Sequence, residues 1–292
     1  MKPLKLVHLS DLHCKAGAPF LLDKLQTAVD EVNDLAPDLV VITGDLTENG
    51  FKNEYEEARR FLHQISAPKM IVPGNHDVKY TGHLIFQEIF GPLSSLLVND
   101  ELALYCANTA RPDKDEGRFS LDQMESLAKG FSKLEDKVKI VAMHHHPMPI
   151  PDTGLERATI EDAGDLLKIL TELGVDLILC GHRHRPWMWS LNSTVLISSG
   201  AVSTRKLRGF FENSYNIITI RNNRVIDVKL KIVGGETLEF REIIAKPCAN
   251  LINIVLVSPS RDNLRAAFEE KSLYTPIAHA KSFGQMDNRY FS

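Results

Sequence analysis

Short apolar runs alternate with amphipathic segments through roughly the first 180 residues of the chain. In the segments between the runs, apolar residues recur at the three- and four-residue spacing of a helix with one buried face. This alternation predicts parallel strands with helices packed against them. The predicted strands of this kind are residues 4–9, 38–42, 70–72, 102–107, 138–143 and 175–180.

Polar clusters follow these runs at the point where each strand should end. Asp11 and His13 follow the first run, Asp45 follows the second, and Asn75 and His76 follow the third. Ligands of parallel sheets collect outside the carboxyl ends of the strands. We therefore expect these side chains to meet at one rim of a sheet, although they lie far apart in sequence.

The cluster that most constrains function is Pro73-Gly74-Asn75-His76-Asp77. Glycine and asparagine allow a sharp turn where a larger side chain would clash. The turn presents an amide oxygen, an imidazole and a carboxylate together. Taken alone it is also compatible with an ordinary turn between a strand and a helix, so the remaining clusters decide its interpretation.

The candidate metal ligands are carboxylates, imidazoles and one amide, without a thiolate: Asp11, His13, Asp45, Asn75, one of His144 to His146, His182 and His184. Mixed oxygen and nitrogen donors suit manganese, iron or zinc and disfavour a calcium site. Seven donors exceed what one tetrahedral zinc takes. They suit two ions about 3.5–4 Å apart that share a carboxylate. His182 and His184, two residues apart, point to the same side of an extended chain.

Beyond residue 184 the pattern changes to short strands without intervening helices. The hairpin turns Asn222-Asn223 and Gly234-Gly235 separate three of these strands. The hairpins either extend the sheet or form the surface of a homodimer. Arg205, Lys206 and Arg208 form a small basic cluster that we interpret as a solvated loop rather than an anion site. We assign residues 1–245 to a catalytic domain and 246–292 to a C-terminal extension of uncertain structure.

Charge and cysteine spacing restrict the partners and the compartment. A net charge of −4 provides no basic field for nucleic acid. No apolar run approaches the ~20 residues that span a bilayer, so we expect no membrane partner. The four cysteines are widely spread and form no CxxC pair, which is typical of reduced thiols in a cytoplasmic protein.

Taken in order, these motifs resemble those of the calcineurin-like metallophosphoesterases over roughly residues 4–200. The details of residues 44–50, 144–147 and 179–182 resemble most the bacterial class III cyclic-nucleotide phosphodiesterases. The resemblance implies an α/β fold of the metallophosphoesterase type. This is a four-layer α-β-β-α sandwich with mixed sheets and a hairpin-rich C-terminal part.

The resemblance also implies a role for each site residue. One ion is held by Asp11, His13, Asp45 and His184, and the other by Asp45, Asn75, His145 and His182. In this family the ligand of the histidine cluster stands two before the proline, which selects His145, with His144 as the alternative. Asn75 and His76 bind the substrate phosphate, and His76 donates a proton to the leaving oxygen. Glu48 and Asp77 support the site from behind. We hypothesise that Glu48 accepts a hydrogen bond from His76, the alternative being a solvated loop acid.

The function that this resemblance implies is hydrolysis of phosphodiester bonds in small molecules by a hydroxide that two metal ions share. Cyclic nucleotides, either 3',5'-cAMP or 2',3'-cyclic species, are the expected substrates. The alternatives are a phosphomonoesterase or a nucleotide pyrophosphatase with the same site. A non-catalytic scaffold disagrees with the complete set of ligands. The walls of the pocket, which should decide the substrate, are expected within residues 108–118, 148–157 and the tail.

Overall fold

Two six-stranded mixed sheets form the centre of the fold. The computed structural model describes residues 3–15, 20–134, 136–154, 160–209, 211–221 and 224–240. These residues all belong to one unit, Met1–Leu251. No helix in these ranges has both the length and the apolar character needed to cross a bilayer.

Twelve strands and five helices are defined in the described part of the chain. The strands are β1 (Leu4–Leu9), β2 (Leu39–Thr43), β3 (Lys69–Val72), β4 (Ser95–Val98), β5 (Leu102–Cys106), β6 (Val138–Ala142), β7 (Leu177–Cys180), β8 (Trp187–Leu191), β9 (Thr194–Ser198), β10 (Ser214–Arg221), β11 (Arg224–Ile232) and β12 (Thr237–Glu239). The helices are α1 (Leu22–Leu35), α2 (Lys52–Leu62), α3 (Gly82–Phe90), α4 (Leu121–Phe131) and α5 (Ala163–Glu172).

The first sheet joins the beginning and the end of the described chain, in the order β12-β11-β10-β1-β2-β3. Strands β1, β2 and β3 are parallel, as the alternation of strands and helices predicts. Strand β10 pairs antiparallel with β1, with Val7 opposite Ile217, and places β1 in the interior of the sheet. The late hairpin strands therefore extend this sheet, which is the first of the two predicted arrangements.

The second sheet has the order β4-β5-β6-β7-β9-β8. Its four inner strands are parallel, and β4 and β8 are antiparallel strands at its two edges. The strands of both sheets alternate between two apolar cores because successive side chains point to opposite faces. In β1, for example, Val7 and Leu9 face helices α1 and α2, whereas Leu4 and Leu6 face the second sheet.

Three apolar cores thus separate four layers: helices α1 to α3, the first sheet, the second sheet, and helices α4 and α5. This arrangement confirms the predicted α-β-β-α sandwich. The expectation of one rim is confirmed for the side chains that follow β1, β2 and β3, because these strands are parallel neighbours in one sheet. The strands before the histidine cluster and before His182, β6 and β7, belong to the second sheet. Helix α3 and strand β4 were not predicted. The hairpin turn at 222–223 and the extension at 246–292 lie outside the described residues.

Candidate metal centre

The carboxyl ends of strands from both sheets meet at one site. From the first sheet, Asp11 and His13 follow β1, Asp45 follows β2 and Asn75 follows β3. From the second sheet, His144 follows β6, and His182 and His184 follow β7. All of these side chains except His182 are buried, and His182 is half-buried. Donors that span some 170 positions of sequence are therefore adjacent in space.

The backbone is strained where it presents these side chains. Asp11, His13, Asp45, His182 and His184 all have positive φ angles, between 50° and 73°. L-residues rarely adopt this conformation, and where they do it is commonly at a functional site. Backbone hydrogen bonds hold two of the loops together: the N–H of Asp11 donates to the carbonyl of Gly44 at 3.0 Å, and that of His13 to Asp45 at 2.9 Å.

Two glycines allow the loops to approach one another. A Cβ atom on Gly74 would lie 2.1 Å from Oδ1 of Asp45 and 2.4 Å from its backbone nitrogen. A Cβ atom on Gly181 would lie 1.9 Å from the Ser10 hydroxyl and 2.6 Å from Oδ2 of Asp11. Neither position has room for a side chain, so the close packing of the donors depends on both glycines.

The first group of donors comprises Asp11, His13, Asp45 and His184, whose ligand atoms all lie within 4.8 Å of one another. The Nε2 atoms of His13 and His184 are 2.9 Å apart. Nδ1–H of His184 donates to the Lys206 carbonyl at 2.5 Å. Nδ1 of His13 lies 3.1 Å from a Glu48 carboxylate oxygen, which favours a proton on Nδ1. In the neutral rings, both inner nitrogens therefore present lone pairs to each other.

The second group surrounds the amide oxygen of Asn75. This oxygen lies 3.1 Å from Nε2 of His144 and 3.1 Å from Nδ1 of His182. Nε2 of His144 also lies 3.4 Å from Oδ2 of Asp45. Nδ1–H of His144 donates to the Thr43 carbonyl at 2.7 Å, so Nε2 of the neutral ring is an acceptor. An acceptor nitrogen therefore faces acceptor oxygens.

Cations resolve this arrangement. Lone pairs that face one another in a buried site repel, and a metal ion between them replaces that repulsion with coordination. Asp45 borders both groups through Oδ2, so it is the carboxylate suited to be shared. The donors are oxygen and imidazole nitrogen, a set that accepts manganese, iron or zinc. The described residues thus fit a site for two metal ions.

The carboxylates and histidines of the site shift one another's pKa values. Burial alone would lower the pKa of His144, but the neighbouring Asp45 carboxylate outweighs it and raises the pKa to about 9. Burial alone would also lower the pKa of His184, but the Asp11 carboxylate outweighs burial and the pKa is raised. The Asp45 pKa is held well below its usual range despite burial, because of His144 and its neighbours. The charge of the buried Asp45 carboxylate is thus stabilised by the histidines around it.

The histidine cluster presents His144, rather than His145, to Asn75 and Asp45. Nδ1 of His145 accepts from the Thr109 hydroxyl at 2.9 Å, and its Nε2–H donates to the Asp115 carbonyl at 3.0 Å. Both ring nitrogens of His145 are thus engaged by protein, even though the ring lies in the same cluster of imidazoles. The geometry favours the alternative that the sequence left open, His144, over the His145 assignment.

His76 is half-buried at the edge of the site. Its backbone N–H donates to Oδ1 of Asp45 at 3.0 Å, and its Nδ1 lies 2.6 Å from the Glu48 backbone carbonyl. The Lys79 ammonium lies 2.9 Å from the same nitrogen. The hypothesis that the Glu48 side chain accepts from His76 is wrong, because the backbone carbonyl of Glu48 is the acceptor.

The side chains of Glu48 and Asp77 have separate supporting roles. The Glu48 carboxylate is buried, lies between His13 and Lys206, and is therefore not a solvated loop acid. The Asp77 carboxylate accepts from the backbone N–H groups of Leu46, Thr47 and Gly74 at 2.9–3.1 Å. It joins the turn after β3 to the loop after β2, although burial and nearby Asp45 raise its pKa to about 6.

Three residues of the site were not predicted from sequence in these roles. Lys206 is exposed, in agreement with the predicted solvated loop, yet its ammonium pairs with the Glu48 carboxylate and its carbonyl accepts from His184. Thr109 and Asp115 hold the ring of His145, and an Asp115 carboxylate oxygen accepts from the Asn75 amide at 3.3 Å. The sequence signal for Thr109 and Asp115 is weak: both lie in the predicted pocket wall at 108–118.

The sequence of the chain is similar to those of a known family. The model of the calcineurin-like phosphoesterase family matches residues 4–186. A cAMP/cGMP dual-specificity phosphodiesterase of Mycobacterium tuberculosis is 27% identical over 261 residues, which cover 80% of this chain and 81% of that protein. A probable glycerophosphodiester phosphodiesterase of Arcobacter nitrofigilis is 26% identical over 220 residues, covering 68% of this chain and 78% of that protein.

Solved structures share the fold at lower identity. A purple acid phosphatase from yellow lupin superposes with a TM-score of 0.64 at 18% identity, covering 88% of this chain and 57% of that one. A dimetal phosphatase from Danio rerio superposes with a TM-score of 0.58 at 13% identity, covering 81% of this chain and 98% of that one. The chain thus spans little more than half the length of the lupin enzyme.

Proposed function

We propose that this chain, which belongs to the calcineurin-like phosphoesterase family, acts on small phosphodiesters, cyclic nucleotides above all. Its family and its phosphodiesterase relatives make it a metal-dependent hydrolase of phosphodiester bonds. This proposal rests on the two buried groups of metal-ligating side chains that border Asp45. In each group, atoms that can only accept hydrogen bonds lie next to one another. Such a site is built to hold two cations close together.

One ion would be held by Asp11, His13, Asp45 and His184, and the other by Asp45, Asn75, His144 and His182. When bound, the ions supply an acidified water for attack and polarise the phosphoryl group. Manganese, iron and zinc all suit these donors.

The protein groups around the ions orient the ligands and the substrate. The carbonyls of Thr43 and Lys206 each accept the outer proton of a histidine and so direct its other nitrogen inward. Asp115 accepts from the Asn75 amide nitrogen and thereby directs the amide oxygen toward the histidines. These contacts fix the donors before substrate arrives and lower the cost of ordering them.

His76 is the residue suited to the leaving oxygen. The Glu48 carbonyl and Lys79 occupy Nδ1, which leaves Nε2 of this half-buried ring for the substrate. A proton on Nε2 would pass to the departing alkoxide as the ester bond breaks. A hydrogen bond from Nε2 to a phosphate oxygen would stabilise the same charge earlier in the reaction.

Cyclic nucleotides are the leading substrates because the chain aligns with the mycobacterial cAMP/cGMP phosphodiesterase over most of both proteins. Glycerophosphodiesters are the second candidate, favoured by the similarity to the Arcobacter protein. Phosphomonoesters and nucleotide pyrophosphates would need the same ions. They rank lower because the mycobacterial and Arcobacter proteins, which align with most of this chain, are named as diesterases.

The test compares bis-p-nitrophenyl phosphate with p-nitrophenyl phosphate in the presence of Mn²⁺, followed by 3',5'-cAMP, 2',3'-cAMP and a glycerophosphodiester. We expect faster hydrolysis of the diester than the monoester, and turnover of at least one cyclic nucleotide. Asp11→Asn should abolish turnover and lower the amount of bound metal, whereas Lys168→Ala, at an exposed position of α5, should change neither. Turnover of the monoester alone, or activity that persists in Asp11→Asn, would contradict the proposal.

A further inference from the structure

An exposed aromatic pair lies beside the turn that carries His76. The rings of Phe51 and Tyr80 stack nearly parallel, with centroids 5.8 Å apart and an interplanar angle of 14°. Phe51 is 48% exposed and Tyr80 is 65% exposed. Leaving two aromatic rings in water forgoes the free energy of burying them, so the pair marks a surface suited to a flat ligand.

The pair lies on the His76 side of the metal centre. Phe51 follows Gly50, and a Cβ atom on Gly50 would lie 3.1 Å from the Lys79 carbonyl oxygen and 3.3 Å from that of His76. Tyr80 follows Lys79, whose ammonium lies 2.9 Å from Nδ1 of His76. Both aromatic residues are therefore attached directly to the chain segments that hold the ring of His76.

Hydrogen bonds hold the backbone that carries the two rings. Tyr80 adopts a left-handed conformation with φ of 52°, and its N–H donates to the Asp113 carboxylate at 2.9 Å. On the other side, the Glu54 carboxylate accepts from the backbone N–H of Asn49 at 2.7 Å and fixes the start of α2, beside Phe51. A strained residue that the surrounding structure holds in place is typical of a functional position, and rigid groups bind at lower entropic cost.

We propose that Phe51 and Tyr80 form a stacking platform for the base of a nucleotide substrate. This inference rests on the proposed phosphodiesterase function, in which His76 serves the leaving oxygen. In a cyclic nucleotide, the leaving oxygen belongs to the nucleoside that carries the base. The base is therefore expected beyond His76, toward the chain segments that carry the aromatic pair. Glycerol and ethanolamine groups present no ring to stack, so the platform distinguishes nucleotide diesters from other small diesters.

The direct test measures binding of AMP and of ribose 5-phosphate, which carry the same phosphate and sugar but differ in the base. Isothermal titration calorimetry with the Mn²⁺-loaded protein gives both affinities. Stacking of one base on aromatic side chains predicts that AMP binds about tenfold more tightly. In the double variant Phe51→Ala with Tyr80→Ala, we expect this preference to disappear while the affinity for ribose 5-phosphate is retained.

Two control variants separate stacking from nonspecific effects. Tyr80→Phe keeps the ring and should keep the preference for AMP, whereas Tyr80→Leu keeps the bulk and should lose most of it. Leu121→Ala removes an apolar side chain that is 65% exposed on α4 and should leave both affinities unchanged. Thermal unfolding of each variant shows that the fold persists, which the exposure of these positions leads us to expect.

Kinetics provide the second readout. The double variant should raise KM for 3',5'-cAMP about tenfold with little change in kcat, and leave hydrolysis of glycerophosphoethanolamine unaltered. Equal wild-type affinity for AMP and ribose 5-phosphate, or equal losses on both diesters, would overturn the platform. Wild-type inactivity on both diesters would instead contradict the phosphodiesterase function, and the AMP comparison would still decide the platform.

Discussion

Substituting His144 and His145 separately by alanine tests how the metal centre is built. The two residues are adjacent, identical and fully buried, so the variants remove the same atoms from neighbouring positions. The two rings make different contacts. His144 directs Nε2 at Asn75 and Asp45, whereas His145 uses both ring nitrogens to hold Thr109 and Asp115.

The expected magnitudes follow from these contacts. Losing a residue that merely orients a ligand costs roughly 10- to 100-fold in metal affinity, and losing a ligand costs at least as much. His144→Ala should therefore lower the affinity for one of the two ions by at least about 100-fold and reduce kcat by a similar factor. His145→Ala breaks two buried hydrogen bonds and leaves a cavity, at a cost of about 2–4 kcal/mol of the free energy of unfolding. In a chain of this size that corresponds to a decrease in Tm of about 3–7 °C.

The assay combines metal analysis with calorimetry. Mass spectrometric metal content and titration with Mn²⁺ count the ions, and differential scanning calorimetry gives Tm for each variant. We expect His144→Ala to retain one ion per chain and His145→Ala to retain two. His145→Gln serves as a control, because an amide restores part of the hydrogen bonding and should recover part of the lost Tm.

The opposite pattern would refute this reasoning. If His145→Ala retained one ion and His144→Ala retained two, the assignment from spacing before Pro147 would be correct. The tautomer argument built on the Thr43 carbonyl would then fail for His144. Loss of one ion in both variants would show that the hydrogen bonds of His145 are needed to hold the donors in place.

Three further predictions follow from single residues. His76→Ala should keep both ions and lose rate chiefly on esters with poor leaving groups. The measurement is kcat for a series of phenyl esters in which the pKa of the leaving phenol rises. Equal loss on all esters would argue against proton donation. Gly74→Ala should abolish binding of at least one ion in the titration, because its methyl would overlap the backbone of Asp45. Burial lowers the pKa of His8 to about 3. Between about pH 3 and 6.5 the unfolded chain therefore binds a proton that the folded chain does not. The free energy of unfolding of the wild type should fall by up to about 5 kcal/mol as the pH is lowered from 6.5 to 3. His8→Gln should lose this part of the slope in urea titrations.

The alternation of strands and helices was predictable because its physical cause is local. Each parallel strand is a short apolar run with a polar end, as at Leu39–Thr43 before Gly44 and Asp45. The division into two sheets was not predictable in this way, because the six runs look alike and pairing is decided by tertiary contacts. Strand β4 is a short edge strand whose alternate residues are exposed, which gives it little apolar signal.

The candidate donors could also be identified in the sequence, but their hydrogen-bond partners could not. The choice between His144 and His145 depends on which ring nitrogen meets the Thr43 carbonyl, a contact across 101 positions of sequence. Similarly, Glu48 lies near two histidines, and only the folded chain shows that its carboxylate serves His13 and its carbonyl serves His76. Motif spacing specifies donor types, and three-dimensional packing specifies tautomers.

Lys206 shows why the site needs more of the chain than the matched family region. That region ends at residue 186, yet the Lys206 carbonyl accepts the outer proton of His184, and its ammonium pairs with the Glu48 carboxylate beside His13. One residue thus supports two histidines of the same donor group. It lies in the connection from β9 to β10, and β10 in turn pairs with β1, the strand that carries Asp11 and His13. The connection from β9 to β10 therefore supports the candidate metal centre, because Lys206 contacts His184 and Glu48 and the strand that follows it pairs with β1.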